Sequence, residues 1–354
     1  LFARGDVSVA AHIGFHGGMG LAALAFSAFE GTTEFNEDAG RIVRTRFEEM
    51  VSEVIKGEAW GSMDITESGA GSDMAALSTR GKQDANGNWF LTGNKIFITS
   101  GHAKWHFVIA RTEELKAGDA FAGLQGLSMF LVKAYEDNGA GERTHYAWFD
   151  KLEEKLGHHG SATVAVRFDK TPAQLIGKRG EGFRMMLLLM NNARLGVGFE
   201  SLGVCEAAYR KARDYAAERP SMGKMIDRHE MIADYFDEMR TDIQALRALC
   251  VTGAVHEEMG QKMRLLLNLM PPKDNEVRNE NERAMRFHLG KSRDLTPLIK
   301  YFGAEKAVEI TQRCIQIHGG YGYINEYGVE KLLRDAMVLP IYEGTSQIQA
   351  LMAM

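Results

Sequence analysis

Apolar and polar positions change rhythm twice along the 354-residue chain. Up to about residue 60 the segment is rich in Ala, Gly and Phe, and Phe47, Met50, Val51, Val54 and Ile55 recur at helical spacing. From Trp60 to about Gly177 short apolar runs alternate with turn residues, the signature of strands. Asp84-Ala85-Asn86-Gly87-Asn88 separates Leu77-Ser78-Thr79 from Trp89-Phe90-Leu91, and its Asn-Gly pair predicts a hairpin. Phe107 to Ala110, Leu127 to Val132 and Thr163 to Phe168 read as further strands, so the segment predicts an antiparallel barrel or small sandwich. After Pro172 no proline occurs until Pro220, and helical periodicity returns over Phe183 to Ala217 and His229 to about Met263. Pro271-Pro272 and the charged run Lys273 to Arg283 predict an exposed connection, followed by a third helical region that stops at Gly319-Gly320.

The predicted class is therefore α+β, in three segments. Residues 1–60 form an N-terminal helical domain, expected to be incomplete because the chain opens at Leu1 without a leader. Residues 61–177 form a middle β-domain and residues 178–354 a C-terminal helical bundle.

Composition narrows the function. A net charge of −5 with no basic run argues against a nucleic-acid surface. The sequence shows no uninterrupted apolar stretch of bilayer length, so no transmembrane segment is expected. Three scattered cysteines, Cys205, Cys250 and Cys314, fit a reducing compartment: the cytoplasm, or the mitochondrial matrix in a eukaryote. No strand leads into Gly-x-Gly-x-x-Gly, which speaks against a Rossmann site. His158-His159 lacks ligand spacing, and no metal is expected.

Three stretches carry candidate chemistry. Ile65-Thr66-Glu67-Ser68-Gly69-Ala70-Gly71-Ser72-Asp73 is a Gly-rich turn whose amides suit an anion or the edge of a flavin, and Phe97 shares a strand face with Thr99 in Gly93-Asn94-Lys95-Ile96-Phe97-Ile98-Thr99. Gln316-Ile317-His318-Gly319-Gly320 lets backbone approach a ligand closely. In Tyr342-Glu343-Gly344-Thr345-Ser346-Gln347 an acidic residue among apolar ones suits a desolvated carboxylate. Each alone also reads as a turn, a helix stop or a solvated loop.

Together, in this order, they resemble the acyl-CoA dehydrogenase family from about residue 8 to the last residue. The resemblance implies N-terminal helices, a middle β-domain and C-terminal helices, with FAD bound between the last two and completed by a neighbouring subunit. It implies that Glu343 is the catalytic base. Ile65, Thr66, Gly71 and Ser72 would line the flavin, Phe97 and Thr99 lie against its rings, and Thr345 and Gln347 touch it after the base. Arg219, Ser221, Gln316, Gly319 and Gly320 would serve the FAD of a partner subunit, in a homodimer or homotetramer. Ser72, Asn191, Arg194 and Gly344 would contact the acyl-CoA substrate. The implied reaction is α,β-dehydrogenation of an acyl-CoA thioester to the trans-2-enoyl-CoA, with electrons passed to an electron-transfer flavoprotein. An acyl-CoA oxidase using oxygen and a nucleic-acid-associated flavoprotein of the same superfamily are the alternatives.

Four residues depart from the family pattern: Ser68 for Pro, Asn191 for Asp, Met222 for Phe and Glu230 for Gln. A long connection over residues 264–292 suggests the larger-subunit branch, which takes bulky acyl groups, and Ile13 to Gly18 lie near the expected pocket floor.

Overall fold

The structure, a computed structural model, describes residues 1–114, 122–139 and 141–353, with side chains at all of these except 15–17 and 122. Helices α1 (Phe2–Gly5) and α2 (Val7–Phe29) lead into a hairpin of β1 (Glu34–Asn36) and β2 (Arg41–Arg44), then α3 (Glu48–Lys56). Asp6 caps α2 by accepting the Val9 amide at 3.2 Å. The predicted periodicity of α3 buries Met50 and Val54, and the helix stops at Gly57 in the left-handed region (φ 73°). The β1–β2 hairpin adds strands to the helical reading of this segment; its residues are mostly exposed and lack the alternation that would announce them.

Helix α2 bears on one expectation. Its 23 residues are long and apolar enough, by length and composition, to cross a membrane, the one such helix among the described residues. Glycines and His12 interrupt the apolar run in the sequence without breaking the helix. Its buried residues pack on the rest of the chain: Gly20 touches Val54, Met19 closes against Gly61, and the Phe26 ring meets Phe107 edge-on at 5.6 Å.

The middle segment contains β3 (Gly61–Asp64), β4 (Arg80–Gln83), β5 (Trp89–Thr99), β6 (Trp105–Arg111), the short helix α4 (Ala122–Gln125) and β7 (Leu127–Lys133). The small hairpin of β8 (Tyr135–Asp137) and β9 (Arg143–His145) follows, then β10 (Ala147–Leu152) and β11 (Thr163–Ile176). The Asn-Gly turn joins β4 to β5, with Gly87 at φ 85°. Strands β11, β5, β4, β6 and β7 pair in a closed ring, because β11 takes β5 along one edge and β7 at its far end. The ring is antiparallel except for one β4–β6 pairing, and β3 adds to β6 in parallel. Both faces of β6 are buried. Val108 and Ala110 point into the barrel with Phe130 and Phe168, whereas Trp105, Phe107 and Ile109 face the helices with Met185, Met186 and Leu189.

The last segment is built on three long helices: α5 (Gly182–Glu218), α6 (Glu230–Leu269) and α7 (Asn275–His318). Strands β12 (Pro220–Ser221) and β13 (Lys224–Met225) form the turn between α5 and α6, and α8 (Val329–Ala336) and α9 (Ser346–Ala353) complete the chain. The expected long connection after residue 264 is overturned, since only residues 270–274 separate α6 from α7. Asp274 caps α7 through the Glu276 amide at 2.7 Å, and Glu282 pairs with Arg278 and Arg286 one turn to either side. The charged run is the solvated face of a helix. Gly198 and Gly253 let Ile299 wedge between all three helices, where an added Cβ would stand 2.3–2.4 Å from it.

One close approach ties the β-domain to the C-terminal helices. A Cβ on Gly157 would stand 2.4 Å from the carbonyl oxygen of Arg334 and 2.7 Å from the amide of Asp335. Backbone cannot yield as a flexible side chain does. Gly157→Ala should therefore destabilise the protein by about 1–3 kcal/mol in urea unfolding. Gly290→Ala, in a helix with open space around it, should instead stabilise by roughly 0.5–1 kcal/mol.

Candidate active site

The loop after α8 turns sharply at Glu343 (φ 55°) and Gly344 (φ 89°), two successive left-handed residues of which only one is glycine. Five side chains hold it there. Gln349 donates from Nε2 to the Glu343 carbonyl at 3.0 Å, and Lys300 donates from Nζ to the Gly344 carbonyl at 2.6 Å. The Ser346 hydroxyl bonds Glu305, the Tyr342 hydroxyl bonds Glu200, and the Thr345 hydroxyl accepts the Ile348 amide at the start of α9.

This turn aims the Glu343 carboxylate inward. Its Oε2 is sealed from solvent and meets no hydrogen-bond donor. Burial raises its pKa, against the opposing pull of Arg194 and Lys300. Arg194 on α5 is 5% exposed, and its Nε and Nη1 also lack acceptors. Burial lowers the Arg194 pKa, with Glu343 acting against it. Lys300 on α7 is fully buried, and desolvation brings it down to about 8 despite Glu343 and Glu305. Glu200, one and a half turns beyond Arg194, is pushed by burial up to about 7, with Glu343 adding and the Tyr342 bond opposing. The sequence reading places Arg194 with substrate and Glu343 as base, and in the structure each lies within the electrostatic influence of the other. It does not find Lys300 or Glu200, whose roles come from long-range packing and leave no local pattern, nor Gln349, which acts six residues beyond the base.

The Gly-rich turn after β3 is folded by a residue that the motif alone does not explain. Glu67 and Ala70 exchange two backbone hydrogen bonds at 3.0 Å, which throws Ser68, Gly69, Gly71 and Ser72 to the surface. The amides of Gly69, Gly71 and Ser72 have no acceptor among the described residues, and a Cβ at either glycine would meet open space. The Glu67 carboxylate points the other way. It accepts the Ser78 and Thr79 amides, the Ser78 hydroxyl and the ammonium of Lys95 at 2.9 Å. Burial opposes its ionisation, but Lys95 and these donors hold it down to about 2. Lys95, with no exposed surface, also donates to the Ile65 carbonyl at 2.7 Å. Glu67 is thus the internal brace of the turn. Phe97 stands beside it on a bulge of β5, at φ 60° and 61% exposed, with Thr99 half-buried further along. The Thr66 carbonyl, accepting the Ile96 amide at 2.9 Å, keeps strand and turn together.

Arg219, Ser221, Gly319 and Gly320 meet in a second place, a surface hollow of about 420 Å³ shared with Tyr215, His318 and Tyr321. His318 stacks on Tyr215 at 4.3 Å, which fixes the end of α7, and the Arg219 guanidinium lies 5.6 Å from the Tyr321 ring centre. Gln316 is exposed on the last turn of α7. Asn191 lies on α5 one turn before Arg194 and is half-buried, and Gln347 is exposed on α9. Along α2, side chains 15–17 of the expected pocket floor lie outside the described residues.

His158 braces the base loop. Its amide donates to Asp335 at 2.6 Å, and its ring meets Tyr342 edge-on at 6.2 Å.

The acyl-CoA dehydrogenase middle-domain family matches residues 62–171, and the acyl-CoA dehydrogenase C-terminal-domain family matches residues 180–270 and 276–354. The chain belongs to the acyl-CoA dehydrogenase family. It is 34% identical over 317 residues to 3-methylmercaptopropionyl-CoA dehydrogenase of Ruegeria pomeroyi, covering 85% of this chain and 50% of that protein. It is 34% identical over 304 residues to an acyl-CoA dehydrogenase of Bacillus subtilis, covering 85% of this chain and 69% of that one. The chain thus spans from half to about two thirds of these relatives. The solved butyryl-CoA dehydrogenase of Megasphaera elsdenii superposes with a TM-score of 0.75 at 25% identity, over 99% of this chain and 78% of that one.

Three of the four departures from the acyl-CoA dehydrogenase pattern fall at the surface, and the fourth, Asn191, is the half-buried one. Ser68 is exposed at the turn, and Met222 is 92% exposed. Glu230 is solvated and stands 3.6 Å from Lys224, so its charge is met both by water and by an ammonium.

The Glu67–Lys95 brace yields a stability prediction. Lys95→Met leaves a buried carboxylate without its counter-charge and should cost about 3 kcal/mol in urea unfolding at neutral pH. Glu67 binds protons more weakly folded than unfolded, so its contribution is full above about 4.5 and is lost as pH falls towards about 2. Acid unfolding of Glu67→Gln should show a smaller pH dependence across that window than the parent protein.

Proposed function

We propose that the chain oxidises an acyl-CoA thioester across its α,β-bond to the trans-2-enoyl-CoA, with FAD as cofactor and Glu343 as base. The observation that carries this reading is the buried, unpartnered Oε2 of Glu343, within the electrostatic reach of an equally unpartnered Arg194. Buried polar atoms without partners are rare in folded proteins, and Arg194, Glu343 and Gln349 carry four of them at or near this loop.

The residues fit the cofactor. Free amides at Gly69, Gly71 and Ser72, and open glycines there and at Gly319 and Gly320, offer close backbone approach to a phosphate-bearing, ring-bearing ligand. Ile65, Thr66, Gly71, Ser72, Phe97 and Thr99 would hold the flavin with Thr345 and Gln347. Bound flavin supplies the hydride-accepting chemistry.

The chain's own residues supply the rest. Glu343 takes the α-proton, a step its desolvated carboxylate favours once ionised. The Glu343 amide has no acceptor among the described residues, which leaves it to donate to the thioester carbonyl as negative charge develops there. Gly344 leaves room for the Gln349 amide, which a Cβ there would meet at 2.4 Å, and would itself contact the substrate. Ser72, Asn191 and Arg194 would meet the CoA and acyl portions, Arg194 through its two free nitrogens.

The hollow of Arg219, Ser221, Gly319 and Gly320, with Gln316 on the same helix end, would serve the FAD of a second copy, so the working unit is at least a homodimer. Sedimentation should then find no flavin-loaded monomer at micromolar concentration. Electrons pass to an electron-transfer flavoprotein in this reading. Prompt peroxide formation when air meets the anaerobically reduced enzyme would mark it as an oxidase instead.

Glu343→Gln keeps the shape and the backbone donor but removes the proton acceptor. It should retain non-covalent FAD and acyl-CoA binding, while flavin bleaching slows by about 10⁴-fold or more. Glu343→Asp should keep part of the rate. Bleaching at close to the parental rate in Glu343→Gln would place the base elsewhere.

A further inference from the structure

We infer that Glu200 and Lys300 are positioning residues for the base: two buried, oppositely charged side chains that grip the Glu343 loop from either side, one through the Tyr342 hydroxyl and one through the Gly344 carbonyl. The inference rests on Glu343 being the base.

The grip is geometric first. Tyr342 and Gly344 are the immediate neighbours of Glu343, and each is tied to a different long helix: Tyr342 to Glu200 on α5, Gly344 to Lys300 on α7 at 2.6 Å. Both tethers act on a backbone that the left-handed φ of Glu343 would otherwise disfavour. Lys300 has no exposed surface, so its ammonium has given up its water for this one carbonyl and for the field of Glu343 and Glu305. A neutral side chain would make an equally good tether at lower desolvation cost. The charges themselves therefore need a purpose.

That purpose is electrostatic. The groups that act on the base are Arg194 and Glu200 from α5, Lys300 from α7 and Tyr342 on the loop itself, with Glu305 of α7 acting on Lys300. His158 with Asp335 and Lys331 stands behind Tyr342. Two of them titrate near neutrality: Glu200 at about 7 and Lys300 at about 8. Below about 7 Glu200 is neutral and Lys300 charged, so the surroundings favour an ionised Glu343. Above about 8 Glu200 is charged and Lys300 neutral, and the same surroundings oppose it. Each proton lost nearby makes the next harder to remove, so the titration of Glu343 is spread over a wider pH range than a lone carboxyl would show.

Glu200→Gln keeps an acceptor for the Tyr342 hydroxyl and removes the negative charge. Lys300→Met removes the positive charge, and Lys300→Arg restores it. In wild type the rate of flavin bleaching by acyl-CoA should rise with pH more gradually than a one-proton curve. Glu200→Gln should steepen that rise and shift it down by about one pH unit. Lys300→Met should shift it up by a similar amount, and Lys300→Arg should return it towards wild type. The shifts should appear in kcat rather than KM. The infrared carboxyl band of Glu343, assigned by subtraction of the Glu343→Gln protein, should titrate with the same displacements in the absence of acyl-CoA. Glu200→Gln and Lys300→Met proteins that lose melting temperature without moving either the band or the profile would make these residues merely structural and overturn the inference. Should Glu343→Gln bleach flavin normally, the base assignment fails, yet the infrared titration still decides whether the two charges act on Glu343.

Discussion

The site depends on a carboxylate being kept out of water on a backbone turn that resists forming. Removing Glu343 from solvent costs free energy that Arg194 and Lys300 return only in part, because both cations have themselves been desolvated and neither forms a hydrogen bond to its Oε2. The rest of the C-terminal helical segment reads as the means of meeting that cost. Long helices α5 and α7 supply the charged side chains, and glycines at 198 and 253 bring those helices close enough for Ile299 to lock them beside Lys300. Pro297, within α7 one turn before Lys300, gives up one helical donor at this crowded place.

The same economy appears where the β-domain meets the helices. Asp335 carries three bonds at once, accepting the His158 amide and the Lys331 ammonium and bringing its carbonyl to the His158 ring. His158 then packs on Tyr342, so the barrel end, α8 and the base loop are joined by a chain of contacts from Gly157 to Glu343. The Gly-rich turn is braced from its own side by Glu67 and Lys95. Two loops thought of as independent motifs are thus each anchored by a buried acid, Asp335 for one and Glu67 for the other. Neither acid points at the open side of its loop.

Much of this was legible in the sequence, for a physical reason. The continuous apolar runs of β6 and β7, the Asn-Gly turn and the helical repeats of α5 and α6 are local consequences of which faces are apolar, and they appear where the sequence pattern places them. The charged run after Pro272 misled because a solvated helix face and an exposed loop share a composition; only the Asp274 cap and the i,i+4 pairs of Glu282 tell them apart. The parallel pairing of β3 with β6 follows from a crossover that no local pattern encodes. Glu200 and Lys300 were invisible for the same reason. A Glu or Lys in a long helix is ordinarily solvated, and only the arrival of a loop more than forty residues away in sequence buries these two.

The unsatisfied atoms show what the folded chain has left undone. Arg194 Nε and Nη1, Glu343 Oε2 and Gln349 Oε1 are all buried without partners, and these four atoms belong to three residues that form or act on one turn of backbone. A loop optimised only for stability would have paired them or replaced them with apolar groups. Gln349 shows the distinction well: its amide nitrogen is committed to the Glu343 carbonyl, while its oxygen is left over. Donors and acceptors held in place but unused in the free protein gain their partners only when something enters, and the gain is then available for binding and for charge that develops during reaction. The two tethers matter for this reason. Without Lys300 and Glu200 the loop could relax, turn Glu343 towards Arg194 or solvent, and satisfy itself at the expense of the ligand.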